Sequence, residues 1–145
     1  MKKTVLAFGS FDILHPGHLK YLEAARKLGD RLVVLVARND SIELFKKRKP
    51  IMDQKDRLYL ISSLKIVDIA VLGAKIKKPG DAYKILLRFR PDIIALGYDQ
   101  PADVPEMKAW LADHKMKTKV IRLKKQLKGK MYKSTNLKKK IAELS

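Results

Sequence analysis

The chain places two of its three histidines, His15 and His18, on either side of Pro16 and Gly17, just after the apolar run Thr4–Phe8. The run predicts a buried strand, and Pro16 with the helical spacing of the apolar residues behind it predicts that a helix begins here. Backbone N–H groups and the helix dipole favour phosphate at such a helix start. Two imidazoles three residues apart can face one side and donate hydrogen bonds to the oxygens of a phosphorus under attack. The pattern favours phosphoryl-group chemistry over the alternative, two surface histidines beside an ordinary turn.

A second candidate segment follows the apolar run Asp92–Leu96, which ends at Gly97. Asp99 lies in the turn behind it, where an acidic side chain can accept hydrogen bonds from ribose hydroxyls, although a turn-forming aspartate is the plain alternative. In a parallel sheet of order 3-2-1-4-5, the strands before His15 and before Gly97 are neighbours. Ligands bind in the crevice beyond the carboxyl ends of such strands, so we expect the two segments to face one pocket.

Positive charge is abundant and partly clustered. The chain carries 33 Lys+Arg against 15 Asp+Glu, a formal charge of +18, which favours anionic partners. Lys46–Lys49 form a basic run before Pro50, which indicates either a solvated face or a loop that closes over phosphates. Arg57 lies on a predicted helix, where a surface ion pair is one possible role. Ser134 is a plausible N-cap, and its neighbour Thr135 begins the last predicted helix.

Strands and helices alternate along the chain. The predicted strands are Thr4–Phe8, Arg31–Ala37, Val67–Leu72, Asp92–Leu96 and Lys119–Leu123. The predicted helices are one from Pro16 to a stop at Gly29, one from near Asp53, Tyr83–Arg90, Val104–His114 and Thr135–Leu144. This alternation predicts an α/β fold, a Rossmann-like, doubly wound, parallel five-stranded sheet of order 3-2-1-4-5 with helices on both faces. We expect residues 1–145 to form a single domain.

Several classes of protein are disfavoured. The absence of cysteine excludes disulfides, thiolate metal sites and cysteine nucleophiles. The apolar run Val5–Phe8 is too short for a signal peptide, and no stretch approaches the roughly 20 apolar residues of a membrane span. We therefore expect a cytoplasmic protein with no membrane partner. A nucleic-acid-binding module would suit the charge, but no helix-turn-helix, zinc-finger or RNA-recognition pattern is present.

The segment Gly-Ser-Phe-Asp-Ile-Leu-His-Pro-Gly-His, residues 9–18, resembles the first motif of the HxGH nucleotidyltransferase superfamily in its cytidylyltransferase-like branch. Residues 96–100 resemble the nucleotide-binding turn of that branch, and residues 132–135 resemble its last motif. A lysine, Lys128, stands where the family has the arginine that opens the last motif. The resemblance implies catalytic roles for His15, His18, Lys46 and Arg48. It implies acceptor-phosphate contacts for Asp12 and Arg57. The implied nucleotide-binding residues are Ser10, Phe11, His15, Pro16, Gly17, His18, Gly97, Asp99, Lys128, Tyr132, Ser134 and Thr135.

Taken together, the three motifs resemble those of the archaeal FAD synthases. That resemblance implies transfer of AMP from ATP to FMN, giving FAD and pyrophosphate. It also implies a divalent ion, Mg²⁺ or similar, carried with the triphosphate rather than in a dedicated protein site, and a homodimer. The alternative within the superfamily is cytidylyl transfer from CTP to glycerol 3-phosphate or a similar phosphorylated alcohol.

Overall fold

The sheet has the predicted topology. The computed structural model describes residues 2–78, 80–125, 138–139 and 141–143. Within them the strands form one parallel sheet of order β3-β2-β1-β4-β5, which confirms the predicted fold class. The strands are β1 (Thr4–Gly9), β2 (Arg31–Val36), β3 (Ile69–Leu72), β4 (Ile93–Leu96) and β5 (Lys119–Arg122).

Helices cover both faces of the sheet. They are α1 (Pro16–Arg26), α2 (Asn39–Lys46), α3 (Gln54–Ser62), α4 (Ile85–Phe89) and α5 (Val104–Asp113), with a 3₁₀ turn at Asp81–Tyr83. Alternate residues of β1 point to opposite faces. Val5 and Ala7 pack with Leu22 of α1 and Ile61 of α3 in one core. On the other face, Leu6 packs with residues of α4 and α5 in a second core. No helix of the described residues is long and apolar enough to cross a membrane.

The observed elements differ from the predicted ones mainly at α2, α4 and β3. Helix α2 was not expected, and it places Lys46 at a helix end instead of in a loop; it has eight residues and Ile42 is its one buried residue. The helix expected over Tyr83–Arg90 is divided into the 3₁₀ turn and α4. Strand β3 begins at Ile69; just before it, Asp68 N donates to Leu32 O at 3.0 Å and the Asp68 carboxylate accepts from Leu32 N at 2.7 Å. Half of the predicted closing helix lies outside the described residues, and its residues 138–139 and 141–143 are helical.

Strands β1 and β4 separate towards their carboxyl ends, and this separation opens the site. Residues 5–6 pair with residues 93–94. Beyond them the Tyr21 hydroxyl lies between the strands: it accepts from Phe8 N at 3.2 Å and donates to Ala95 O at 2.7 Å. The Gln100 side chain then donates to Phe8 O at 2.7 Å and accepts from Gly97 N at 3.0 Å. Side chains thus replace the ladder where the strand order reverses, as expected for a ligand crevice.

Candidate active site

The histidine loop is fixed by the start of α1. His15 is the N-cap residue, in an extended conformation, and its Nδ1 accepts from Gly17 N at 3.0 Å. His18 Nδ1 accepts from His15 N at 3.3 Å, so the two imidazoles perform the reciprocal capping that Ser and Glu perform in other helices. Because Nδ1 of each ring is an acceptor, the proton of each neutral ring is on Nε2. Pro16 occupies the first helical position, where its nitrogen carries no hydrogen and needs no hydrogen-bond acceptor.

The two rings are held by packing as well as by hydrogen bonds. They stack with centroids 3.8 Å apart and planes 25° apart, and the Phe11 ring meets His18 edge-on at 5.4 Å. Phe11 has a φ of 52°, in the left-handed region, and its side chain is buried. A Cβ at Gly9 would lie 3.0 Å from the Phe11 ring, so glycine makes room for it. The Phe11 side chain therefore supports His18 from the core.

Electrostatics keep both imidazoles neutral. Burial lowers the pKa of His15. Burial, together with the nearby His15 and Lys46, lowers the pKa of His18 to about 3. His15 Nε2 is buried and has no hydrogen-bond partner among the described residues. A neutral Nε2–H without a partner is a strong candidate donor to a phosphate oxygen, because leaving it unpaired is costly.

Asp12 joins the histidine loop to the segment that follows the basic run. Its buried carboxylate accepts from Ile51 N at 2.9 Å and from Met52 N at 2.8 Å, and it is also paired with Lys138. Burial alone would raise the pKa of Asp12, but the hydrogen bonds from Lys138, Met52 and Ile51 outweigh it and hold the pKa below its usual value. The carboxylate thus anchors the loop after Lys49, and the predicted acceptor-phosphate contact falls on a group already bonded to protein.

Arg57 is buried, which excludes the surface ion pair that was its alternative role. The side chain is 0% exposed, and each guanidinium nitrogen donates to protein. Nε donates to Met52 O at 3.0 Å, and Nη1 donates to Ser10 O at 2.8 Å and to Ala37 O at 2.6 Å. Nη2 donates to Asn39 Oδ1 at 2.7 Å. The guanidinium therefore connects the segments after β1 and β2 with the start of α3, and a direct phosphate contact would require it to leave these partners.

Positive charge collects beside the histidines. Lys46 ends α2, and its pKa is lowered by burial and then by the neighbouring cations Arg48 and Lys138. Lys46 also lowers the pKa of His18, which places its charge near the imidazoles. Asp12 is the acidic group that partly offsets these cations. Cations that lie close together repel each other, and a bound anion relieves this repulsion, so the cluster is suited to bind phosphate.

The second predicted segment lies across the crevice, beyond β4. Gly97 O and Gln100 O both accept from Arg122 Nη1, at 2.8 Å and 3.0 Å, so the turn is tied to β5 as well as to β1. Asp99 is exposed at the tip of the turn, beside Tyr98.

The side chain of Gln100 was not predicted to act here. The sequence pattern gave little indication of this role, since a single glutamine in a turn does not show that its side chain bonds to Phe8 O. The predicted residues Lys128, Tyr132, Ser134 and Thr135 lie outside the described residues.

An apolar cleft of about 550 Å³ lies beside the segment that follows β1. Its floor is the sheet face that carries Leu6 and Leu35, and its walls include Phe45 of α2 and Met107 of α5. Ser10, Lys46 and Gln100 also line it, so the cleft is continuous with the histidine loop and the basic cluster. This cleft was not predicted, because its lining residues are scattered along the chain.

Comparison with known proteins agrees with this geometry. The profile of the cytidylyltransferase-like family matches residues 6–140. The chain belongs to the cytidylyltransferase-like family. Among family members, the FAD synthase of Aciduliprofundum boonei is 52% identical over 83% of this chain and 78% of its own. The FAD synthase of Methanohalophilus mahii is 46% identical over 96% of this chain and 94% of its own.

A solved structure from Thermoplasma volcanium, described as a lipopolysaccharide core biosynthesis protein, is 43% identical and superimposes with a TM-score of 0.78. It covers 86% of this chain and 98% of its own. Membership of the cytidylyltransferase-like family thus rests on agreement in sequence over nearly the whole chain and on a shared three-dimensional arrangement.

Proposed function

We propose that this protein is an FAD synthase that transfers AMP from ATP to FMN. One observation carries the proposal. A pair of neutral imidazoles, each accepting a backbone N–H at the start of α1, lies beside a cluster of cations where the strand order of the sheet reverses. The FAD synthases that share 46% and 52% of their aligned residues with this chain support the choice of ATP and FMN.

The reaction needs no covalent protein intermediate. An oxygen of the FMN phosphate attacks the α-phosphorus of ATP in line, the new P–O bond forms, and the bond from that phosphorus to the bridging oxygen breaks as pyrophosphate leaves with its electron pair. The acceptor phosphate is already ionised and requires no general base. Catalysis therefore consists of positioning the reactants and stabilising the charge on the phosphate oxygens.

Different residues near the crevice stabilise charge and position the reactants. His15 and His18 donate through Nε2–H to oxygens on the reacting phosphorus, where charge increases in the transition state. Lys46 and Arg48 neutralise the phosphates of the acceptor and of the leaving pyrophosphate. Ser10, Pro16 and Gly17 line the path of the triphosphate with backbone and small side chains.

The second segment and the last motif bind the nucleotide. Gly97 allows the ribose to approach the backbone, and Asp99 accepts hydrogen bonds from the ribose hydroxyls. By resemblance to the family, Lys128, Tyr132, Ser134 and Thr135 bind the β- and γ-phosphates. Asp12 and Arg57 act indirectly, because their hydrogen bonds fix the loops that carry the basic residues. We expect the reaction to take place in the cytoplasm. We also expect two copies of the chain to form a homodimer, which stays a prediction.

A divalent ion such as Mg²⁺ is part of the proposed reaction, where it neutralises charge on the triphosphate. Among the described residues, no group of three histidine, aspartate or glutamate side chains is arranged to hold a metal. Asp12, the buried carboxylate nearest the histidine loop, is bonded to two amides and a lysine. These residues fit an ion whose ligands are mostly phosphate oxygens and water.

The decisive experiment supplies the purified protein with ATP or CTP, each with FMN or glycerol 3-phosphate, and measures pyrophosphate. The expected result is pyrophosphate with ATP and FMN, together with FAD identified by chromatography. Release with CTP and glycerol 3-phosphate alone would replace this proposal with the cytidylyltransferase alternative.

A further inference from the structure

We propose that the apolar cleft beside the histidine loop binds the isoalloxazine ring of the acceptor, so that this cleft makes the enzyme select a flavin. The inference rests on the proposed function and adds to it the part of the molecule that recognises the ring. Three features support this assignment: the chemistry of the lining, an exposed aromatic residue at the cleft, and the continuity between the cleft and the proposed phosphate site.

The lining suits a large planar ring. The cleft holds about 550 Å³ and is bounded mainly by apolar side chains, including Leu6, Leu35 and Met107. Cavities of this size and character bind ring systems through burial of apolar area, with a few polar groups that fix orientation. Arg38 and Ser41 line the same cleft and can donate hydrogen bonds to the carbonyl oxygens of a flavin. A small polar acceptor such as glycerol 3-phosphate would leave this apolar surface uncovered.

Helix α2 brings the aromatic and the basic functions together. Phe45 and Lys46 are consecutive, both line the cleft, and the Phe45 side chain is 67% exposed. A flat aromatic face at the rim can stack on a planar ligand. A lysine beside it, near His18, can take the phosphate of the same ligand. A molecule with a fused ring at one end and a phosphate at the other matches this order of groups, and FMN is such a molecule.

The cleft borders the turn after β4 at Gln100. Gln100 lines the cleft and also bonds Phe8 O and Gly97 N, so it lies between β1 and the nucleotide-binding turn. With the ring of the acceptor on one side and the nucleoside on the other, the two phosphates would meet at the histidines. The competing occupant of the cleft is the adenine of ATP, and the experiment distinguishes the two.

The test uses riboflavin, which has the ring and lacks the phosphate. We expect riboflavin to bind the protein without nucleotide, as measured by quenching of its fluorescence, and to inhibit FAD formation competitively with FMN but not with ATP. Ala74→Leu narrows the cleft, and Phe45→Ala removes the exposed ring. Each should weaken riboflavin binding and raise the KM for FMN about tenfold or more, with the KM for ATP within twofold of wild type.

The matched control is Ala112→Leu, the same enlargement at an exposed position of α5 outside the cleft, which should change none of these values. Competition of riboflavin with ATP, or unchanged FMN and riboflavin affinities in both cleft variants, would overturn the inference while FAD formation persists. Absence of FAD from the wild-type protein with ATP and FMN would instead overturn the proposed function. Since Phe45 is exposed, its variant tests the inference even if Ala74→Leu impairs folding.

Discussion

The imidazole rings of His15 and His18 stack 3.8 Å apart while the Nδ1 of each accepts a backbone N–H at the start of α1. Helix capping therefore determines the tautomer, since it leaves the proton on Nε2. The same arrangement buries His15 and partly buries His18, and burial lowers the pKa of both. In the proposed reaction the histidines are therefore fixed donors of hydrogen bonds and do not shuttle protons.

The first prediction concerns transition-state stabilisation. His18→Ala should lower kcat by about 10²–10³, the usual cost of losing one fixed donor to a developing oxyanion, with little change in the KM for ATP. Steady-state rates of FAD formation measure both constants. His114→Ala is the control, because this third histidine stacks on Trp110 away from the crevice and its loss should leave kcat unchanged. Equal losses in kcat and in ATP affinity would contradict the assigned role.

The second prediction concerns pH. The pKa of His18 in the folded protein, about 3, is below its ordinary value of 6.5. The unfolded chain therefore binds the proton first as pH falls, and folding loses stability between pH 6.5 and 3 with a slope of at most about 1.4 kcal/mol per pH unit for this group. Above pH 6.5 the group contributes no pH dependence. Urea unfolding at several pH values should show a shallower acid slope for His18→Asn than for wild type, and identical slopes would refute the buried neutral state.

The third prediction concerns Arg57, which donates to three carbonyls and to Asn39. Arg57→Lys keeps the charge but cannot reach these acceptors together, so buried carbonyls lose partners. We expect the free energy of unfolding to fall by about 2–4 kcal/mol. Denaturant titration of Arg88→Lys, on the exposed surface of α4, is the control and should change stability by less than about 0.5 kcal/mol. A loss of FMN affinity at unchanged stability would instead indicate direct phosphate contact.

The fourth prediction concerns Gln100. In Gln100→Glu, the new carboxylate can still accept from Gly97 N but cannot donate to Phe8 O, and the two oxygens repel each other. The nucleotide-binding turn should move away from β1, and the KM for ATP should rise about tenfold. Gln100→Ala, which removes both bonds without adding repulsion, should have a smaller effect. Wild-type ATP kinetics in Gln100→Glu would show that the turn does not depend on this side chain.

Local sequence determined the framework. Residues 32–36 of β2 are all apolar because parallel strands are covered on both faces. Pro16 marks where α1 begins, and Gly29 marks a position that the helix does not pass. Pro16, between His15 and His18, was enough to predict that a helix starts here with two imidazoles in its first turn, and their role towards phosphate stays a prediction. Helix α2 was not foreseen, because its eight residues lead into a basic run that is typical of a loop or a solvated face.

Only the tertiary structure decided what the isolated side chains do. Arg57 looks like any helical arginine in the sequence, and its burial follows from three loops meeting around it. Asp12 and Met52, or Gln100 and Phe8, are far apart along the chain, so no local pattern encodes their contact. The apolar cleft likewise exists only after β1, α2 and α5 have packed. Chemistry carried by neighbours in sequence can be read directly, whereas chemistry carried by long-range contacts depends on the fold that brings them together.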